Sequence, residues 1–227
     1  MTVVLKLGGS VVTRKGSPET VDERALADLA AAVADYEGDL VLVHGGGSFG
    51  HHHASRLGVS RTEGTRDVDD LLAIHDSMKA LNTAVLSALR EAGVPGTPVH
   101  PLSVCARDRS GELSFPADAA RTMVGEGFVP VTHGDVVAHE GTGATVVSGD
   151  ELAVSLAESL SATRVGICST VPGVLDEAGD VVPRIESYDE VADLLGGSKE
   201  TDVTGGMAAK VRELLALDAP ASVFGPD

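Results

Sequence analysis

Short, almost wholly apolar runs alternate along the chain with longer stretches in which apolar residues recur every three or four positions. Continuous apolar runs predict buried strands, and the longer period predicts amphipathic helices. Strands are predicted at 3–7, 40–44, 97–100, 103–107, 128–131, 164–170 and 221–225, with two short strands around a glycine turn at 135–149. Helices are predicted at 21–36, 67–92, 150–160, 187–195 and 204–217, with a short one after the glycines at 45–47.

Strands interleaved with helices in this way indicate an α/β fold: an open, mostly parallel sheet sandwiched between two layers of helices. The 227 residues suffice for one such domain, and neither a Gly/Ser/Pro-rich linker nor a repeat divides them. We therefore expect a single domain over 1–227. In open sheets of this kind ligands bind at the carboxyl ends of the strands, so the glycines that follow several strands are the first candidates for a site.

The composition argues against several classes of partner. The 34 acidic residues against 17 basic ones give a formal net charge of −17, a field that repels nucleic acid and anionic membranes. No apolar run approaches the roughly 20 residues that span a bilayer, and Met1 leads into a strand rather than a signal peptide. Cys105 and Cys168 lie in or beside apolar runs, as buried free thiols do. We expect a cytoplasmic protein.

The acidity also bears on the working environment. A chain so rich in Asp and Glu, with only five lysines, is typical of a protein that works in high salt, where screening removes the self-repulsion. An ordinary acidic cytosolic protein is the alternative.

The segment "LVLVHGGGSFGHHH" at 40–53 combines a strand, a glycine loop and three histidines. Its spacing Gly45-x-Gly47-x-x-Gly50 matches a dinucleotide-binding fingerprint. The acidic residues about 20 positions later, however, begin a helix instead of ending a strand, which argues against a nicotinamide site. No P-loop motif occurs either.

The three histidines are not expected to form a metal site. Successive residues on a helix point about 100° apart, so His51, His52 and His53 cannot chelate one ion together. We expect no metal bound by protein ligands. His44 is expected to pack at the end of its strand, and His75 either lines a cavity or faces solvent.

The placement of the lysines favours phosphate chemistry. Lys6, Lys15 and Lys210 lie in or beside glycine- and hydroxyl-rich segments, where backbone amides and helix N-termini cradle anions. Several such anion-binding segments at one sheet edge suit phosphoryl transfer. That reaction needs positive charge along the in-line path between the donor and acceptor phosphates. The alternative is that the glycines only form tight turns between strands and helices.

Four motifs together resemble the amino acid kinase superfamily over nearly the whole chain: "KLGGS" at 6–10, "HGGGSFGH" at 44–51, "SGD" at 148–150 and "TGGMAAK" at 204–210. The histidine after Phe-Gly resembles the isopentenyl phosphate kinases within it. The resemblance implies ATP-dependent conversion of isopentenyl phosphate to isopentenyl diphosphate in isoprenoid biosynthesis. It also implies ATP with Mg²⁺, a homodimer, an acceptor half over about 1–140 and a nucleotide half over about 141–227.

The resemblance assigns roles to individual residues. It implies a catalytic set of Lys6, Lys15, His51, Asp150 and Lys210. For ATP it adds Gly8, Gly9, Ser10, Gly47, Thr170, Val174 and Gly206. For the acceptor it adds Gly46, Gly50 and Gly149, and the apolar face of the helix at 67–92 offers Ile74 and Met78 as a wall for the alkyl tail. The alternatives are that Asp150 is merely a capping or first-turn acid of a helix and that Ile74 and Met78 are ordinary core residues.

The chemistry of a phosphate acceptor gives His51 a reason to be present. A phosphate monoester brings about −1.5 to −2 charges towards the γ-phosphate of ATP. A histidine at a glycine-rich helix N-terminus can offset that charge and donate a hydrogen bond.

Two other functions stay open. A sibling kinase acting on another small phosphate or phosphonate, such as a fosfomycin kinase-like enzyme, shares the histidine-containing loop. A non-catalytic regulatory domain that binds a small molecule is the second, although retention of Lys6, Asp150 and Lys210 together argues against it.

Two departures from the family pattern are visible. The segment "STVPGV" at 169–174 stands where relatives carry an Asp, so Thr170 and Val174 are assigned to the nucleotide base without that carboxylate. Relatives also continue beyond "VFGPD" through another helix and strand. We expect either a sheet without that edge element or a sequence that is part of a longer chain.

Overall fold

The alternating pattern becomes a parallel sheet between two helical layers in a computed structural model that describes residues 1–195 and 206–226. Within these residues the strands are β1 (Thr2–Leu7), β2 (Asp39–His44), β3 (Gly96–Pro98), β4 (Ala106–Arg107), β5 (Leu113–Ser114), β6 (Val129–His133), β7 (Asp135–His139), β8 (Gly143–Val147), β9 (Arg164–Cys168) and β10 (Ala221–Phe224). The helices described are α1 (Gly9–Val12), α2 (Glu23–Ala34), α3 (Gly47–Leu57), α4 (Val68–Glu91), α5 (Pro101–Val104), α6 (Asp118–Gly125), α7 (Gly149–Ser159), α8 (Ala192–Leu195) and α9 (Gly206–Leu215).

Six of the described strands form the main sheet in the order β10-β9-β1-β2-β6-β3, and all their pairings are parallel. The central strands are buried on both faces, which is why their sequences run apolar without alternation. Val41 and Val43 of β2 share a core cluster with Leu152 and Leu156 of α7. Leu42 belongs to a second cluster with residues of α2 and α4. The predicted sandwich is confirmed.

A smaller sheet in the order β5-β4-β7-β8 lies beside the main one. Strands β7 and β8 form the hairpin predicted for 135–149. The loop between α3 and α4 joins this sheet through a bridge of Thr65 with Ala144. On β4, the buried Arg107 forms a two-pronged ion pair with Glu151 at the start of α7, with both distances 2.6 Å. The smaller sheet is thereby fixed to the helix that enters the candidate site.

Several segments differ from the prediction, and the short elements α1 and β5 have no predicted counterpart. Pro101 begins the short helix α5, a position where its missing N–H costs nothing, so only Ala106 and Arg107 remain of the strand predicted at 103–107. The helix predicted at 187–195 is a 3₁₀ turn followed by the four-residue α8. Helix α6 has no counterpart in the prediction, because Ala120 is its single buried residue and gives no apolar stripe.

The expectation for the two cysteines is confirmed. Cys105 and Cys168 are free and buried, and burial raises the pKa of the Cys105 thiol to about 12. None of the described helices is long and apolar enough to cross a membrane. Residues 204 and 205, the predicted start of the last helix, lie outside the described residues; α9 is described from Gly206.

Candidate active site

The carboxyl ends of neighbouring strands are joined by glycine amides. Gly8 donates its N–H to the last carbonyl of β9 at 2.8 Å, Gly45 to the last carbonyl of β1 at 2.9 Å, and Gly134 to the last carbonyl of β2 at 3.0 Å. Each chain therefore leaves the sheet directly beside its neighbour. This brings the glycine segments after β1 and β2 together with those after β6 and β9.

The segments after β1 and β2 touch at a distance that only glycine permits. A Cβ on Gly9 would overlap the amide nitrogen of Gly47, and a Cβ on Gly47 would overlap the hydroxyl oxygen of Thr13. Gly47 also has φ = +48°, in the left-handed region. Thr13 donates its hydroxyl proton to the carbonyl of Gly9 at 2.7 Å and accepts from the amide of Ser48 at 3.0 Å. These glycines do more than turn the chain, because they let two loops pack backbone against backbone.

Three charged side chains meet beside these loops. The ammonium nitrogen of Lys6 lies 2.9 Å from Asp150 Oδ1, and that of Lys210 lies 3.1 Å from Oδ1 and 3.0 Å from Oδ2. Lys6 is the second-last residue of β1, Asp150 is in the first turn of α7, and Lys210 is on α9. Asp150 is not the cap of its helix, since Ser148 accepts the capping hydrogen bond from the amide of Glu151 at 3.0 Å.

Burial sets the electrostatics of this triad. Lys6 is 6% exposed, and desolvation, helped by the like charge of Lys210, lowers its pKa despite the attraction of Asp150. Burial alone would raise the pKa of Asp150, but the two ammonium groups hold it below its ordinary range. The carboxylate stays ionised and balances one of two positive charges, which leaves the triad with a net positive charge.

A cavity of about 900 Å³ opens onto the triad and the glycine loops. The residues assigned from the sequence that line it are Lys6, Gly8, Gly9, Ser10, Lys15, Gly46, Gly47, Gly50, His51, Ile74, Met78, Gly149, Asp150, Thr170 and Lys210. Val174 is not among the lining residues; it is buried in an apolar cluster with Val191, Leu195 and Val211, whereas Val171 lines the cavity in its place. Gly206 is the first residue of α9, the helix that carries Lys210.

The loop after β2 forms one wall of the cavity together with α4. His51 lies in the second turn of α3, whose N-terminal residues Gly47 and Ser48 also line the cavity. Met78 packs directly against this loop, since a Cβ on Gly50 would lie 2.6 Å from its sulfur. Ile74 and Met78 are both buried and both reach the cavity. The site is thus polar at the strand ends and apolar along α4.

The sequence model of the amino acid kinase family matches residues 1–217. The chain belongs to the amino acid kinase family. It is 64% identical over 227 residues to an isopentenyl phosphate kinase of Haloferax volcanii, a match covering 99% of this chain and 92% of that protein. It is 36% identical to the isopentenyl phosphate kinase of Methanothermobacter thermautotrophicus, covering 95% of this chain and 86% of that one.

Solved structures agree with the sequence relatives. A structure titled as X-ray structures of isopentenyl phosphate kinase superposes with a TM-score of 0.85 at 28% identity, covering 100% of this chain and 92% of that one. The family resemblance drawn from the motifs is confirmed.

Beneath the glycine loops of this family member lies a group of buried histidines that the sequence did not single out as a unit. His44 and His133 are neighbours in register at the ends of β2 and β6, and their rings stack at 5.4 Å. Each ring donates from Nδ1 to the carbonyl of the following glycine, at 3.2 Å for His44 and 3.0 Å for His133. His100 approaches Nε2 of His133 at 2.9 Å. The rings thereby fix the backbone where the glycine segments leave the sheet.

His44 and His133 are neutral at neutral pH. Desolvation lowers the pKa of His44 to about 4 and that of His133 well below its ordinary value. With its proton on Nδ1, His44 presents an unprotonated Nε2 to Asn82 at 3.1 Å. The Asn82 atom at this distance is the amide oxygen Oδ1, which cannot donate. Turning the amide by 180° brings its nitrogen, which otherwise has no hydrogen-bond partner, into position to donate to Nε2.

The remaining histidines have separate positions. His75 neither lines the cavity nor faces solvent; it is buried, and its Nδ1 lies 2.8 Å from Asp135 Oδ2. Burial raises the pKa of Asp135, and hydrogen bonding from His75 opposes this. His53 contacts Glu19 at 3.0 Å, and His52 is exposed. His44 packs at the end of its strand as expected.

Sequence reasoning missed Asp135, Thr13, Asn82 and Arg107. Asp135 follows β6 by two residues and lines the cavity, so the strand-end rule that selected the glycines applies to it as well. Thr13, Asn82 and Arg107 lie in ordinary apolar or helical surroundings in the sequence. Their contacts depend on partners far along the chain and leave no local pattern.

The neutral histidines make a testable contribution to stability. A buried histidine with a folded-state pKa of about 4 and an ordinary value of 6.5 takes up its proton mainly in the unfolded chain. The free energy of unfolding should therefore fall as the pH drops from about 6.5 to about 4, by about 3 kcal/mol for His44. Urea denaturation at pH 7.5 and pH 5.0 measures the part of this loss that falls between those two pH values, about 2 kcal/mol.

The variant His44→Gln should show a smaller difference between the two pH values than the wild type, although it is less stable at both. Asp135 acts in the opposite sense, since its raised pKa favours the folded state as the pH falls. His52→Gln removes an exposed histidine and is the matched control, with an unchanged difference. An equal pH response in His44→Gln and wild type would contradict a neutral buried His44.

Proposed function

We propose that the protein transfers the γ-phosphoryl group of ATP to isopentenyl phosphate, giving isopentenyl diphosphate and ADP. The observation that carries this is the Lys6–Asp150–Lys210 triad facing, across one cavity, a glycine loop that bears His51. The 64% identity to the isopentenyl phosphate kinase of Haloferax volcanii supports the choice of acceptor.

The geometry suits an in-line transfer. A non-bridging oxygen of the acceptor phosphate forms a bond to the γ-phosphorus of ATP while the bond from that phosphorus to the β–γ bridging oxygen breaks. Negative charge builds on the oxygens between donor and acceptor, so cations placed there act on the transition state. Lys6 and Lys210 supply that charge, and Asp150 fixes both ammonium groups in place. Lys15 is an exposed further cation at the rim of the cavity.

His51 serves the acceptor phosphate. It lines the cavity from α3, next to the amides at the N-terminus of that helix, which favour an anion. We infer that its ring donates to the non-bridging oxygens and, when protonated, offsets charge as the two phosphates approach. A general base is not needed, because a phosphate monoester oxygen is a nucleophile near neutral pH.

The nucleotide belongs on the opposite side of the triad, along the segments after β1 and β9. Among the described residues no group of three or more His, Cys, Asp or Glu could hold a metal ion, and Asp150 is engaged by two lysines. Mg²⁺ accompanying ATP fits this site as a cation held by the nucleotide phosphates, where it would neutralise their charge. The acceptor half over about 1–140, the nucleotide half over about 141–227 and a homodimer remain predictions from the family, and a cytoplasmic location remains a prediction from the composition.

A coupled assay of ADP release tests the function with three acceptors in parallel: isopentenyl phosphate, fosfomycin and acetylglutamate. Isopentenyl phosphate should be turned over with the highest kcat/KM. Because the net charge is −17, the assay is run in dilute buffer and in molar KCl, and activity should be higher where salt screens the acidic surface. A higher kcat/KM for fosfomycin would show that the acceptor is a phosphonate and not isopentenyl phosphate. No turnover of any of the three acceptors would favour a regulatory domain.

The role of His51 is tested by substitution. His51→Ala should lower the kcat for isopentenyl phosphate by about 10²-fold or more, the scale of a lost anion-stabilising donor. His51→Gln keeps one donor and should retain part of the activity. The KM for ATP should change little in either variant.

His52→Ala is the matched control, because His52 is the exposed neighbour on the same helix. It should retain wild-type turnover. A wild-type rate in His51→Ala, or a defect confined to ATP binding, would show that the loop does not hold the acceptor.

Substitutions on α4 test whether this helix forms the wall of the part of the cavity that holds the alkyl tail of the acceptor. Met78→Ala removes the side chain that packs on Gly50 and should admit alkyl phosphates longer than those that wild type accepts. Ile74→Ala should act in the same direction. Such truncations cost about 2–5 kcal/mol of stability, so folding is checked by circular dichroism.

Leu81→Ala provides the control for Met78→Ala. Leu81 is a fully buried residue of the same helix that does not line the cavity, so its truncation destabilises without enlarging the site. The activity of Leu81→Ala on alkyl phosphates of increasing length, its chain-length profile, should match that of the wild type. If Met78→Ala and Ile74→Ala also keep that profile while folded, α4 does not form the wall.

A further inference from the structure

Arg61 lies outside the cavity and contacts a carboxylate on each of the two helices that complete the triad. Its Nη2 is 3.3 Å from Glu151 Oε1, and its Nη1 is 3.6 Å from Glu213 Oε1. Glu151 directly follows Asp150 in α7. Glu213 is three residues after Lys210 in α9, which places both on the same face of that helix. Arg61 therefore joins the two helices that bring Asp150 and Lys210 together.

The loop that carries Arg61 is fixed to the rest of the molecule. It is the direct continuation of α3, the helix of His51. Thr65 exchanges two backbone hydrogen bonds with Ala144, at 2.9 and 2.8 Å, and the carbonyl of Ser60 accepts from Val146 at 2.9 Å. Arg61 thus lies between two points where the loop is pinned to β8. The guanidinium reaches α7 and α9 from a fixed support on the acceptor side.

The two carboxylates differ in how they depend on Arg61. Glu151 also receives both prongs of the buried Arg107, so it keeps a partner without Arg61. Glu213 has no ion pair other than that with Arg61 among the residues the structure describes. Burial and the neighbouring charges of Asp150 and Glu151 raise the pKa of Glu213, and the positive charges of Arg61 and, to a smaller extent, Lys210 oppose them. Loss of Arg61 would remove the ion pair of Glu213 and leave the more weakly acting Lys210 as its counter-charge against two neighbouring carboxylates.

We propose that Arg61 is a positioning residue for phosphoryl transfer: by binding Glu151 and Glu213 it holds α9 against the start of α7, and so keeps Lys210 on Asp150. The link also runs from the acceptor helix α3 to the cation that acts on the transferring group. This inference rests on the proposed kinase function, because it assigns Lys210 a role in the transition state.

The first test is Arg61→Met, which keeps most of the length of the side chain but removes its charge. We expect kcat for isopentenyl phosphate to fall about tenfold, the lower end of the loss seen when a group that orients a charged ligand is removed. The KM values for both substrates should change less than twofold. Glu213→Gln should give the same pattern, and Arg61→Lys, with a single ammonium for two carboxylates, should recover part of the loss.

Arg109→Met is the matched control. The side chain of Arg109 is 81% exposed, against 59% for Arg61, and it pairs at 2.8 Å with Glu140 in the turn between β7 and β8. Its loss removes one positive charge and one surface ion pair without touching α7 or α9. It should keep wild-type kcat; an equal loss in this variant would mean that the protein responds to net charge alone, and would overturn the proposal.

A double-mutant cycle separates positioning from general stability. If Arg61 acts through Lys210, adding Arg61→Met to Lys210→Met should lower the residual kcat no further. A full tenfold loss in the Lys210→Met background, or wild-type kcat in both Arg61→Met and Glu213→Gln, would overturn the proposal. These outcomes presuppose that the wild type turns over isopentenyl phosphate; if it does not, it is the proposed function that fails.

Discussion

The site depends on a single carboxylate that faces two ammonium groups in a mostly buried position. Asp150 can balance either Lys6 or Lys210 but not both. A charge left over away from water is costly until a counter-charge arrives. The remaining positive charge therefore favours an anion in the cavity, and it favours most the state in which negative charge is greatest. In a phosphoryl transfer that state is the approach of two phosphates, so the same ion cluster serves binding and chemistry.

The sheet provides the frame that makes this cluster possible. Lys6 can stand beside α7 only because β1 is central in the sheet and its end is joined on both sides to neighbouring strands. The close contact of Gly9 with Gly47 leaves no room for a Cβ, so backbone atoms of these two residues line the cavity instead of side chains. Backbone amides carry partial positive charge without a net charge to desolvate, so they extend the anion site at little cost.

The sequence was informative where a signal is local. The apolar runs of β1, β2 and β9 predicted their strands, and the rule that ligands bind at strand ends was enough to bring the glycines after β1 and β2 to one edge of the sheet. Prediction was poorest where local pattern and packing disagree: Pro101 begins a helix inside an apolar run, and α6 has no apolar stripe. Val174 followed the family motif, but a cluster with Val191 and Val211 holds it away from the cavity.

The contacts that no pattern revealed are those between side chains distant in sequence. His75 and Asp135 are 60 residues apart, and Arg107 and Glu151 are 44 apart. Periodicity predicts which face of a helix or strand is buried. It does not predict which polar side chain from a distant part of the sequence forms a hydrogen bond or ion pair with a residue on that face. The distinction has a chemical consequence at the strand ends. His44 and His133 hold the glycine segments as neutral rings, so they orient the backbone without adding positive charge beneath the cavity. The positive charge beside the transferred phosphoryl group therefore comes from Lys6 and Lys210 and not from these two histidines.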